Sequence, residues 1–216
     1  MISPANFIPV AEEFGIINAL GRWVMNAVAS QLCFWIDMGL PLVPIAINAS
    51  SHHLRNTELF TDYERLLRTY HIPASLLEIE LTESCLIGHI DHTIKHMKLL
   101  QDLGLKISID DFGTGYSSLS YLSRLPIDSV KIDRAFIYGI HQNSGDAALT
   151  SAIIKMAKCL KLHVVAEGVE TEAQFVWLAR NGCDVAQGYL LARPMTVEAF
   201  TALLRGSQHS RRIAGA

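Results

Sequence analysis

Apolar positions along this chain fall into blocks that switch between a helical spacing and short continuous runs. Ser3-Pro4 sets a favoured N-cap before a proline tolerated in the first turn, and Phe7, Ile8 and Ala11 follow at helical spacing, so a helix is predicted up to Gly15. Leu20, Trp23, Val24, Ala27, Val28 and Leu32 predict a longer helix from about Asn18 to Met38, closed by Gly39. From there the blocks alternate. Strands are predicted at Leu42 to Ile47 (ending at Asn48), Leu77 to Leu81, Lys106 to Asp110, Ser129 to Asp133, His163 to Glu167 and Val185 to Tyr189. Helices are predicted between them, at about Thr57 to Tyr70, Ile90 to Leu103, a short one at Ser117 to Ser123, Asp146 to Leu160, and one opened by a Thr171–Gln174 capping box and ending near Gly182. A last helix, Val197 to Leu204, is expected to close a single domain over residues 1–206, with 207–216 as a flexible tail.

Strand and helix in unbroken alternation specify parallel strands joined by helical crossovers. Composition agrees, because half of the 216 residues are hydrophobic, as expected for strands covered on both faces. The net charge of −3 argues against a broad DNA- or RNA-binding face, and no apolar run is long enough to span a membrane. Cys33, Cys85, Cys159 and Cys183 are scattered without a CxxC pair, as in reduced thiols of a cytoplasmic protein.

One polar pattern cuts across this apolar frame. Each predicted strand ends at or near a residue of catalytic type: Asn48, Glu80, Asp110, Lys131, Glu167 and Gln187. In a (β/α)8 barrel the C-terminal strand ends build the active site. Buried strand ends hold charge only when it is paired or metal-bound. At Asp110-Asp111-Phe112-Gly113-Thr114-Gly115 two adjacent carboxylates precede a glycine loop, and their repulsion calls for a nearby cation. The oxygen-only donor set suits Mg²⁺, Mn²⁺ or Ca²⁺. The residues alone leave two chemistries open: two-metal phosphoester hydrolysis with Lys131 orienting water, or a one-metal lyase with Lys131 as base.

The motifs Leu77-Glu78-Ile79-Glu80-Leu81-Thr82-Glu83-Ser84, Asp110 to Leu119, Val130-Lys131-Ile132-Asp133, Ala166-Glu167-Gly168-Val169-Glu170-Thr171 and Gln187-Gly188-Tyr189 resemble, in order, those of the EAL domain family of bacterial cyclic di-GMP phosphodiesterases. The resemblance runs from Ile2 to about Leu204. It implies a modified (β/α)8 TIM-like barrel that hydrolyses cyclic di-GMP to linear pGpG with two Mg²⁺ or Mn²⁺ ions. It further implies that Asn48, Glu80, Asp110, Asp111 and Glu167 hold metal, that Lys131, Glu167 and Asp111 are catalytic, and that Gln187 gives a supporting contact. Glu83 would anchor the loop containing Gly113, Thr114 and Gly115, and the loop and helix at 111–123 would form a homodimer contact.

The resemblance places the family's namesake Glu-Ala-Leu strand, and an arginine that contacts substrate phosphate, ahead of Ile2. A barrel of about six strands, incomplete at its N-terminus, is therefore expected, with weak or no turnover by these 216 residues alone. The alternative is a non-catalytic module that binds cyclic di-GMP or a protein partner. Outside these motifs, His89, His92 and His96 share one helix face, read here as solvated, with a zinc or nickel site as the alternative. His52-His53 is read as loop, Asp133 as a partner of Lys131 or Arg134, and Trp23, Trp35 and Trp177 as core.

Overall fold

The computed structural model describes residues 3–55, 58–86, 90–114 and 122–213. Six parallel strands run in chain order across one sheet. They are β1 (Ile45–Asn48), β2 (Leu77–Thr82), β3 (Lys106–Phe112), β4 (Ser129–Ile132), β5 (His163–Ala166) and β6 (Val185–Ala186). The helices are α1 (Pro4–Glu13), α2 (Ile17–Asp37), α3 (Ser51–Arg55), α4 (Glu58–Tyr70), α5 (Ile90–Asp102), α6 (Arg134–Gly139), α7 (Ser144–Cys159), α8 (Glu172–Arg180) and α9 (Val197–Ile213). This is the strand-and-helix order of a TIM-like barrel, with β1 and β6 paired on one side only among the described residues.

Strand alternation sorts the side chains. Ile47, Leu77, Ile79, Leu81, Ile107, Ile109, Val130, Ile132, Val164 and Ala166 are buried in the layer between sheet and helices. The alternate positions Asn48, Glu80, Asp110 and Lys131 take the other face. On β1, at the sheet edge, the alternate residues Ala46 and Asn48 are exposed. The capping box opening α8 is present: Thr171 Oγ1 accepts from Gln174 N–H and Gln174 Oε1 accepts from Thr171 N–H. All four cysteines are free thiols.

Several elements differ from the sequence reading. β1 begins at Ile45 and not Leu42, because Pro44 has no N–H to give a ladder. β6 stops at Ala186, where the chain turns back against Val169, and a Cβ on Gly188 would lie 2.2 Å from Val169 O. α9 continues to Ile213, since one glycine at 206 costs only about 1 kcal/mol against alanine and does not end a helix. Helices α3 and α6 were not anticipated: both are short, so neither shows a helical period in sequence. The predicted helix at Ser117–Ser123 lies largely outside the described residues.

Trp23 is 68% exposed and not core, whereas Trp35 is buried, donates from Nε1 to Thr201 Oγ1 at 2.9 Å and packs at a tilt against the Phe200 ring. Trp177 packs partly buried on the core. His53 is not loop but a buried residue of α3, with Nε2 3.1 Å from Asp62 Oδ2. Of the histidines expected on a solvated face, His92 is exposed, His96 is buried against that expectation, and His89 lies outside the described residues.

Candidate active site

Adjacent residues of a regular strand face opposite ways, so Asp110 and Asp111 should not share a site. β3 resolves this with a bulge. Ile109 pairs with Val130 and Phe112 with Ile132, so β3 uses one residue more than β4 over this interval. Asp111 takes a left-handed φ of 53°, tolerable for an aspartate, and Phe112 returns to the core. The kink is closed locally: Asp111 N–H donates to Asp110 Oδ1 at 3.0 Å, and Thr114 Oγ1 donates to Asp111 O at 2.8 Å. Gly113 follows at φ 101°, and a Cβ there would meet the Phe136 ring at 2.9 Å. Its N–H donates to Glu83 Oε2 at 3.1 Å, which ties the turn to the residue just past β2.

Lys131, on the middle of the sheet, is the electrostatic hub. Its Nζ lies 2.7 Å from Glu80 Oε1, 3.2 Å from Asp110 Oδ1 and 2.5 Å from Glu167 Oε1, with the side chain 8% exposed. Burial alone would pull the ammonium down, but its bonds to Glu167 and Glu80 and the charges of Glu80 and Asp110 outweigh that, and the net direction is upward. The three carboxylates thus favour the ammonium form of Lys131. Burial pushes Glu80 upward against the pull of Lys131.

Among the described residues Asp111 has no such lysine contact. Burial pushes its carboxyl up, and Asp110, Asp133 and Glu167 add to the shift. Oxygens of Asp110, Asp111 and Glu167 lie within 4.8 Å of one another. A hard divalent cation fits this donor set, because it would relieve the mutual repulsion of the three carboxylates.

The sequence-predicted residues are not all brought together. Glu80, Asp110, Asp111, Lys131 and Glu167 converge. Asn48 lies beside Glu80 in register at the exposed end of β1. Gln187 is exposed after β6, held through its backbone by Ala166 and Val169. Glu83, Gly113 and Thr114 form the turn, and Gly115 lies outside the described residues. Asp133 departs from expectation: its Oδ1 caps α6 by accepting from Ala135 N–H at 2.8 Å, and its carboxyl bears on Asp111. The signal for this was an aspartate at a helix N-cap, hidden because α6 is so short. Gln174, buried, also accepts from Glu170 N–H and donates to Ile137 O, bracing the chain beyond Glu167.

Parallel strands with a carboxylate-rich centre at their C-terminal ends define a TIM-barrel-like domain with a candidate metal site. The chain belongs to the EAL domain family, whose family model matches residues 1–194. It is 43% identical over 202 residues to the bifunctional diguanylate cyclase/cyclic di-GMP phosphodiesterase MucR of Pseudomonas aeruginosa, covering 94% of this chain and 30% of that protein. It is 40% identical over 200 residues to the cyclic di-GMP phosphodiesterase PdeR of Escherichia coli, covering 93% and 30%. The chain thus spans about a third of the length of these relatives. Among solved structures, the PaMucR phosphodiesterase in complex with c-di-GMP superposes with a TM-score of 0.88 at 43% identity, covering 92% of this chain and 81% of that one. The EAL domain of Mycobacterium smegmatis DcpA gives 0.81 at 36% identity, covering 87% and 84%.

Proposed function

We propose that this chain is a cyclic di-GMP phosphodiesterase domain that hydrolyses the cyclic dinucleotide to linear pGpG. The observation that carries this is the Lys131 ammonium set among Glu80, Asp110 and Glu167, with Asp111 brought alongside by the β3 bulge. Family membership and the named activities of MucR and PdeR support it. Asp110, Asp111 and Glu167, with Glu80 and Asn48, would hold two Mg²⁺ or Mn²⁺ ions. Bound there, the ions supply Lewis-acid polarisation of the scissile phosphate.

The chain's own residues do the rest. Lys131 stays protonated, so its Nζ–H donates to the attacking water and offsets negative charge building on the phosphate oxygens. Glu167 and Glu80 fix the direction of that ammonium through their bonds to it. Asp133 positions Asp111, and Glu83 holds the turn at Gly113. Gln187 stands at the rim as a substrate contact. The domain acts in the bacterial cytoplasm, as a homodimer through the segment 111–123.

The test is metal-dependent conversion of cyclic di-GMP to pGpG by the purified chain, beside the Asp110→Asn variant. Mg²⁺- or Mn²⁺-dependent product formation lost in the variant supports the reading. Nucleotide retained without cleavage at any metal concentration points to a binding module instead.

A further inference from the structure

We propose that His92 and His96 on α5 form a second metal site, selective for borderline divalent ions such as Zn²⁺ or Ni²⁺ and chemically separate from the oxygen-rich centre. The two residues are one helical turn apart, a spacing that lets two imidazoles meet a single ion. Their ring centroids are 4.3 Å apart, edge to face at 66°.

His96 is prepared for ligation. It is 6% exposed, and its Nδ1 lies 2.8 Å from Leu54 O at the end of α3. A carbonyl only accepts, so Nδ1 carries the proton and Nε2 keeps the lone pair. An imidazole N–H donated to a backbone carbonyl is the outer support that metal-ligating histidines almost always have. Packing of α5 through Thr93, Met97 and Leu100 holds the ring in place, while His92 is exposed beside it and would bring its own nitrogen to an ion about 2.0–2.1 Å from each. Imidazole nitrogen suits Zn²⁺, Ni²⁺ and Cu²⁺, whereas Mg²⁺ and Mn²⁺ prefer carboxylate oxygen, so the two sites sort ions by chemistry. With two protein ligands, the remaining positions are open to water.

The experiment titrates Zn²⁺ into the tag-free, chelator-stripped chain in excess Mg²⁺, read by calorimetry and by the zinc X-ray absorption spectrum. One zinc with two imidazoles in its shell is expected. His92→Ala, at an exposed position that leaves the fold intact by circular dichroism, should weaken zinc binding by at least about tenfold, since loss of even an outer support costs that much. Asp111→Asn should leave the zinc affinity unchanged. Undiminished zinc binding by His92→Ala, a shell of oxygen or sulfur alone, or loss of zinc with Asp111→Asn would overturn the proposal.

Discussion

Glu83 Oε2 accepts the N–H of Gly113 across 3.1 Å, joining the end of β2 to the turn that follows the paired aspartates. The bond fixes the bulged backbone from a residue that is itself buried. Its loss releases the turn without removing a ligand. Glu83→Ala is therefore expected to lower kcat by about tenfold or more, because misplacement of a reacting group by about 1 Å is costly. Metal affinity should change less, and Glu83→Gln, which keeps an acceptor oxygen, should recover part of the rate. An unchanged kcat in Glu83→Ala would show that the turn holds itself.

The carboxyl of Asp111 is raised by burial first and then by Asp110, Asp133 and Glu167. The sign follows from proton linkage. A carboxylate whose folded pKa is raised destabilises the fold above that pKa and is relieved as the pH falls. Asparagine tolerates the left-handed φ of 53° as aspartate does and carries no charge. Asp111→Asn should then melt at the same or a higher temperature than the parent without metal, yet gain much less on adding Mg²⁺ or Mn²⁺. Thermal melts with and without metal decide this, and equal metal stabilisation of both chains would remove Asp111 from the ligand set.

Much of this arrangement was legible in the sequence. The six strands and their polar ends follow from period and from which residues a covered strand can hold. The shared site of Asp110 and Asp111 was not derivable from alternation, because it depends on a bulge that only strand pairing reveals. Trp23 was misread because helical spacing alone does not say which face of α2 lacks a neighbour, and that face depends on where the sheet ends. The burial of His53 and His96 was invisible for a related reason. Each is held by a residue on another helix, Asp62 on α4 in one case and the carbonyl of Leu54 on α3 in the other.

Lys131 touches Glu80, Asp110 and Glu167, so replacing it strands three carboxylates. Lys131→Met keeps most of the apolar stem and removes the charge. Activity should fall by about a hundredfold to a thousandfold, the usual cost of one preorganised donor at a developing oxyanion. Stability at neutral pH should fall as well, because breaking a buried ion pair leaves uncompensated charge. Added Mg²⁺ should restore more stability to Lys131→Met than to the parent, since the ion replaces the missing cation. A variant as stable as the parent in chelator would show that the carboxylates do not depend on Lys131.

His53 offers a pH test on a group that is not one of the converging site residues. Burial holds its pKa below the ordinary histidine value, and this outweighs the opposing pull of its hydrogen bond and charge contact with Asp62, while Arg22 adds to the lowering and Glu58 opposes it. Arg65 also pairs with Asp62 and competes for that carboxylate. In the unfolded chain the imidazole takes up a proton near pH 6.5, while in the folded chain it does so only at lower pH. The unfolded state therefore binds more protons through this window, and stability is present above about pH 6.5 and lost as the pH falls below it. His53→Gln keeps a polar side chain of similar reach without a titrating ring. Melting temperature followed from pH 7.5 to 5 should drop less steeply for the variant than for the parent. Parallel slopes would show that the acid sensitivity of the fold comes from other groups.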